Sequence, residues 1–320
     1  MVVKHSLLVG FGLLVSALAS AQDYPNKPIR LIIPFGTGGA TDTSGRAVAD
    51  KLGARLGGRI VVENHGGAGG NIGADLVAKA PADGYTILLA LDATLVVNPF
   101  TTKVPFDTLR DFAPVTQLGN VNLVLAAHPS LPVRTIPELI SWAKANPGKL
   151  SYSTGGTGSV SHVGGELLKQ RTGLDMVHVP YKSGGLAVMD AVAGHVQLTY
   201  PALAGANSQI RSGKLVALGI SSKNRVVSMP EIPTFIEQGL KDFEVFSWVG
   251  LIAPAKTPRP IIDRIHKEAV AVMKEPDVVE RFNTLGIEPV ANTPEQFTAQ
   301  IKADLARWKG VVERAGIKVD

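Results

Sequence analysis

The sequence has 320 residues, 45% of them hydrophobic and 18% charged, with no cysteine and a formal charge of +5. That length is about two average domains, and the lack of cysteine excludes disulfide and thiol chemistry. Basic residues spread without runs, beside only 6% aromatics, leave no nucleic-acid footprint.

The chain opens as an export signal. A polar start at Lys4 and His5 leads into an apolar stretch from Ser6 to Leu18 and a small-x-small site, Ala19-Ser20-Ala21. The stretch is shorter than the roughly 20 residues that span a bilayer. Residues 1–21 are therefore read as a cleaved signal peptide, and the mature protein as periplasmic, without a lipid or membrane anchor.

Strands then alternate with helices. Ile29 to Phe35 is an apolar run with strand character, and Val48, Leu52 and Leu56 mark one face of a helix ending at Gly57-Gly58. Ile60 to Glu63 predicts a strand, Ile72 to Ala80 a helix stopped by Pro81, and Tyr85 to Leu91 a strand. Val121 to Ala127 predicts another strand, and Thr135-Ile-Pro-Glu138 is a capping box opening a helix. Strands follow at Lys149–Ser153, Asp175–Tyr181, Val196–Tyr200, Leu215–Ser221 and Phe243–Ala253, then helices around 262–273, 276–285 and 294–315. The alternation implies an α/β fold with largely parallel sheets covered on both faces. Chain crossings between lobes are expected near 118–125 and 244–250, which suits hinge closure.

Three strand-to-helix connections are rich in glycine and hydroxyls: Pro34 to Asp42, Gly66 to Asn71, and Ser153 to Ser159. The first N–H groups of a helix have no internal partner and sit at its positive end. Glycine lets an anion approach that backbone. Thr37, Thr41, Thr154, Thr157 and Ser159 offer hydroxyl donors as well. These features predict an anion site. Gly67-Ala-Gly69 with Gly73 misses the dinucleotide spacing by one residue, and no Walker, G-x-S-x-G or H-E-x-x-H pattern occurs. Ser159 and His162 share a helix face, but no third partner makes them a catalytic set. His65, His128, His178, His195 and His266 show no metal-ligand spacing. No enzyme activity, metal or cofactor is expected.

The ordered motifs resemble a known family. Tyr24 to Phe35 with Gly38 to Asp42, Val61 to Asn64, Gly67 to Gly70, Asp83 to Thr86, Asn98-Pro99 and Asp111-Phe112 match the tripartite tricarboxylate transporter solute-binding proteins, the Bug or TctC family. Ala143 to Gly148, Gly158-Ser159, His162, Val179 to Lys182, Ala253-Pro254 and Ala315 to Ile317 continue the resemblance over the mature chain. It implies a two-lobed periplasmic binding fold of type II, a monomer that binds a small carboxylate and delivers it to two membrane components. One carboxylate would lie on Phe35, Gly36, Thr37, Gly38, Gly39, Thr41 and Asp42 with Gly67, Ala68, Gly69 and Asn71. Ser153, Thr154, Gly155, Gly156, Thr157 and Ser159 would face them from the second lobe, with His162 as a contact or a packing residue. Tyr181 and Lys182 would line the cleft, or Lys182 is simply a solvated lysine at a strand end.

The chain also departs from the family. Gly36-Thr37 stands where two prolines are common, and Asp92 where small or hydroxyl residues are. Asp92 either recognises an amine, ring N–H or hydroxyl on the ligand, or caps the next turn. Tyr200 offers a stacking wall for a ring. The expected division is 22–121 with 246–320 as one domain and 122–245 as the other. A periplasmic sensor feeding a signalling partner is the alternative to uptake.

Overall fold

The computed structural model describes residues 24–38 and 40–319, so the expected signal peptide lies outside the described residues. The first sheet takes β1 (Ile29–Ile33), β2 (Ile60–Asn64), β3 (Thr86–Leu91), β4 (Phe112–Asn122), β10 (Phe246–Pro254) and β11 (Ile287–Pro289). The second takes β5 (Val124–Ala127), β6 (Leu150–Thr154), β7 (Met176–Pro180), β8 (Leu198–Thr199) and β9 (Val216–Ile220). Their orders are β11-β4-β10-β3-β1-β2 and β7-β6-β8-β5-β9. Strands β1 and β3 are apolar without alternation because helices cover both faces of the sheet.

Each sheet is mixed rather than largely parallel. The pairs β1–β2, β1–β3, β6–β7 and β6–β8 are parallel, as helical crossovers require. Strand β10 instead runs antiparallel between β3 and β4, and β5 antiparallel between β8 and β9. Strand β5 is entered straight from the other sheet, one residue after β4, and β10 also follows a passage from the second sheet. Neither is reached through the helical crossover that imposes parallel pairing. The sequence pattern also missed all of β4 before Val121 and the short β11.

The chain passes between the sheets at Leu123 and at Val245, and one serine ties the two passages together. The Ser221 N–H donates to Leu123 O (3.1 Å), its hydroxyl to Val245 O (2.7 Å), and Val245 N–H donates back to Ser221 O (2.7 Å). Ser221 is fully buried, so these bonds satisfy groups that water cannot reach.

The helices are α1 (Ala40–Leu56), α2 (Asn71–Ala78), α3 (Asn98–Thr101), α4 (Ile136–Ala145), α5 (Val160–Thr172) and α6 (Gly184–Val192). They continue with α7 (Leu203–Arg211), α8 (Arg259–Val272), α9 (Pro276–Thr284) and α10 (Pro294–Ala315). Thr293 and Gln296 close the capping box of α10. That helix packs Phe297 edge-on against the buried Trp248 of β10, with ring centroids 4.9 Å apart. It also reaches α5 of the other layer, where Gln170 Nε2 donates to Val311 O (3.1 Å) and Arg314 Nε to Gln170 Oε1 (2.9 Å). The last helix therefore lies across both layers rather than against one.

Helix α5 carries the third glycine-rich loop at its start and sits close on β6 because Gly165 faces the Tyr152 ring. A Cβ at Gly165 would enter that ring, whose hydroxyl donates to the buried Glu166 (2.9 Å). Gly165→Ala should cost about 1–3 kcal/mol by overpacking. Thermal unfolding should then show a melting point lower by roughly 2–4 °C per kcal/mol.

Candidate functional site

The first loop leaves β1 at Pro34 and enters α1. Asp42, in the first turn of α1, turns inward rather than toward the cleft. Its carboxylate accepts from Gly38 N–H (2.9 Å), Arg46 Nε (3.0 Å) and Asn64 Nδ2 (2.9 Å). Asn64 Nδ2 also donates to Phe35 O (3.0 Å), so the loop is pinned at both ends. Burial pushes the Asp42 pKa up, but the Arg46, Gly38 and Asn64 hydrogen bonds outweigh it and hold it at about 2. Asp42 is thus a residue that positions the loop, with its carboxylate engaged by Gly38, Arg46 and Asn64. Gly36, Thr37 and Gly38 are exposed, with Phe35 and Thr41 half-buried beside them, and Gly39 lies outside the described residues.

The second loop winds left-handed. Gly67, Ala68, Gly69 and Gly70 have φ of 129°, 49°, 62° and 93°, so Ala68 holds a conformation that alanine rarely adopts. Two residues unforeseen from the sequence hold it there. Thr94 Oγ1 (2.9 Å) and Asn98 Nδ2 (3.1 Å) both donate to Gly69 O, and Asn98 Nδ2 also donates to Asn71 Oδ1 (2.8 Å). Only glycine fits at position 70, where a Cβ would strike the Thr94 hydroxyl. The Gly66 backbone lies against Phe35 and Gly36, so the first two loops share one wall.

Asp92, at the end of β3, is 1% exposed and does not reach the cleft. Its Oδ1 accepts from Ala93 N–H (2.8 Å) and from Ser247 Oγ (2.6 Å) of β10, so it caps the following π turn, Ala93–Val97. Of its two expected roles, the structure shows Asp92 in the capping one. Burial pushes its pKa up to about 7 despite the Ser247 and Ala93 bonds, and the nearby Asp304 adds to the rise.

The third loop is built over two stacked imidazoles. His162 and His178 lie 3.7 Å apart at 11°. The Gly158 N–H donates to His162 Nδ1 (3.1 Å), which places the His162 proton on Nε2, and His178 Nε2 meets Thr154 Oγ1 (2.7 Å). Ser159 Oγ donates to Gly156 O (2.7 Å) and accepts from His162 N–H (3.2 Å), the geometry of an N-cap. Ser153 Oγ is buried on Ala187 O (3.0 Å). The side chains of Ser153, Thr154, Ser159 and His162 thus shape the loop from behind, with His162 in the packing role that was one of its two readings. The loop presents Gly155 and Thr157 to solvent, with Gly156 half-buried between them. The N–H groups of Gly155 and Thr157 have no acceptor among the described residues.

Gly155 abuts the Gly184 backbone, so the start of α6 lies beside the third loop. Tyr181 N–H donates to Thr154 O (3.0 Å), and its hydroxyl donates to Asp190, which pushes the Tyr181 pKa up to about 12. Lys182 is exposed. Tyr200 is 0% exposed and stacks over Phe235 at 6.2 Å inside the second layer. Tyr200 packs in the core of the second layer, away from the exposed loops.

These buried groups set a pH dependence with two opposing signs. Burial lowers His162 to about 4 and His178 to about 3, the latter also through the charge of His162. Their neutral forms favour the fold fully above pH ~6.5, and that stability is lost as the pH falls toward 4. Asp92 acts oppositely, since a raised carboxyl loses stability as pH rises from ~4 to its folded value. Urea melts across pH 4–7 should show wild-type stability rising with pH. Asp92→Asn should steepen the rise by up to about 1.4 kcal/mol per pH unit.

The geometry agrees with known proteins. A model of the tripartite tricarboxylate transporter family receptor matches residues 45–317. The periplasmic binding protein BugD is 35% identical, with 92% of this chain and 99% of BugD covered and a TM-score of 0.74. A Rhodopseudomonas palustris protein solved with adipate is 32% identical, with 92% and 99% covered and a TM-score of 0.78. MatC from the same organism, with bound malate, is 30% identical over 90% of this chain and 100% of its own, at a TM-score of 0.74. With its two α/β layers and glycine-rich loops at helix starts, this chain belongs to the Bug/TctC family of periplasmic solute-binding receptors.

Proposed function

We propose that the protein captures a small carboxylate between two lobes and delivers it to the membrane components of a tripartite tricarboxylate transporter. The observation that carries this is the state of the three loops. Their acidic and hydroxyl side chains Asp42, Thr154 and Ser159 are spent on holding the backbone, while the exposed backbone N–H groups of Gly36, Thr37, Gly155 and Thr157 have no acceptor among the described residues. An anion on such N–H groups gains roughly 1.5–3 kcal/mol per bond. The adipate and malate held by two family members support a carboxylate here.

The lobes of this reading are 22–121 with 246–320, and 122–245, hinged at Leu123 and Val245. A monomer exported with cleavage after Ala21 fits the sequence, and delivery rather than catalysis fits loops that carry no activated nucleophile.

Calorimetry and thermal unfolding with mono-, di- and tricarboxylates test the reading. A true ligand at 100 times its Kd should stabilise the protein by about 2.7 kcal/mol. Asn98→Ala removes the amide that holds Gly69 O and Asn71 Oδ1, leaving Gly69 O on Thr94 alone, and should weaken that ligand about tenfold, equivalent to about 1.4 kcal/mol. Absence of any carboxylate-induced shift would refute the function.

A further inference from the structure

A cavity of about 400 Å³ lies between the layers away from the three loops, and its wall includes Asn122, Ala204, Val227, Gly286, Ile287 and Glu288. The sheet orders show which side it is on. In the first sheet β4 and β10 stand between β11, which gives the cavity Ile287 and Glu288, and β1 and β2, which carry the first two loops. In the second sheet β5 stands between β6, which carries the third loop, and β9, which leads to Val227. The strands that pass between the layers thus divide the space into a front, with the loops, and a back, with this cavity.

Both walls of the back are fastened to the passing strands. Val124 N–H of β5 donates to Pro201 O (3.0 Å), just ahead of α7, and Asn122 Nδ2 of β4 donates to Glu288 Oε2 (3.0 Å) of β11. The layers meet directly there. A Cβ at Gly286 would run into Ala204 Cβ and lie 3.3 Å from its Cα, so the bare backbone after α9 rests on the second residue of α7. At the front the second and third loops instead border a cavity of about 440 Å³. Packed layers turn as rigid bodies rather than deform. A rotation about the passing strands that narrows the front must part Ala204 from Gly286.

We propose that Ala204 and Gly286 are positioning residues that hold the cleft open from behind, and that their contact sets the affinity for a carboxylate neither of them touches. The inference rests on the closure proposed above and adds the residues that set its balance. A protein whose closed form is a small fraction of the whole binds more weakly by that fraction. Bulk added at position 204 weakens the open form alone, because the contact exists only in that form, and so raises the closed fraction. Linkage makes the effect reciprocal, so a bound carboxylate must uncover position 204.

The absence of cysteine from the chain allows that bulk to be added after folding. Ala204→Cys, at an exposed position, is made in the whole mature protein and capped with methyl, propyl or benzyl methanethiosulfonate. Small-angle scattering without ligand should show the radius of gyration falling as the cap grows. Calorimetry with malate and adipate should show Kd falling about three- to tenfold from methyl to benzyl. In the uncapped variant, saturating malate or adipate should speed alkylation of the thiol by a similar factor. Lys214→Cys, exposed beyond the far end of α7, should show none of these changes. A radius and a Kd that ignore cap size, or a Kd that rises with it, overturn the proposal, whatever happens to the melting temperature. A radius that falls while neither acid binds supports the contact as a stop and counts against the carboxylate function.

Discussion

A helix that starts at a sheet edge leaves its first N–H groups without partners, and everything else in the cleft follows from keeping those groups available. A loose glycine-rich loop would fold its own donors back onto nearby acceptors. Here each loop is instead braced from behind by a buried polar side chain that spends its own bonding capacity on the backbone. Asp42 with Asn64 braces the first, Asn98 with Thr94 the second, and the His162–His178 stack the third. The brace differs chemically each time, but the task is the same. A carboxylate, an amide and an imidazole are all directed at loop backbone, which leaves the outward face free.

That division of labour explains what the sequence could and could not reveal. Glycine and hydroxyl clusters after apolar runs identify the loops, because the demand for left-handed or close-approach backbone is written in residue type. The braces are harder to see. Asn98 lies 29 residues beyond the carbonyl it holds, and His178 lies 24 beyond Thr154, so only the fold brings them together. Hydroxyls and acids near the loops read as ligand donors when they are supports, as Ser159, Asp42 and Asp92 show. Composition cannot tell a side chain facing outward from one facing the core. The Asn98-Pro99 pair was visible as part of a family resemblance, without its role.

The same holds for the fold. Helical spacing located α10 to the residue, since its capping box and apolar stripe are local. The antiparallel places of β5 and β10 were not visible, because pairing direction depends on where the chain returns from. The serine tying Leu123 to Val245 is equally silent in sequence, though it fixes the two passages side by side.

The place of β10 has a consequence for how the chain comes to be folded at all. This strand fills the middle of the first sheet, between β3 and β4, yet it begins only at Phe246. The strands β1, β2 and β3 can pair among themselves as they emerge, but β4 joins them only through a segment more than a hundred residues downstream. Such long-range closure is slow. The first sheet therefore closes only after the strands of the second have been made.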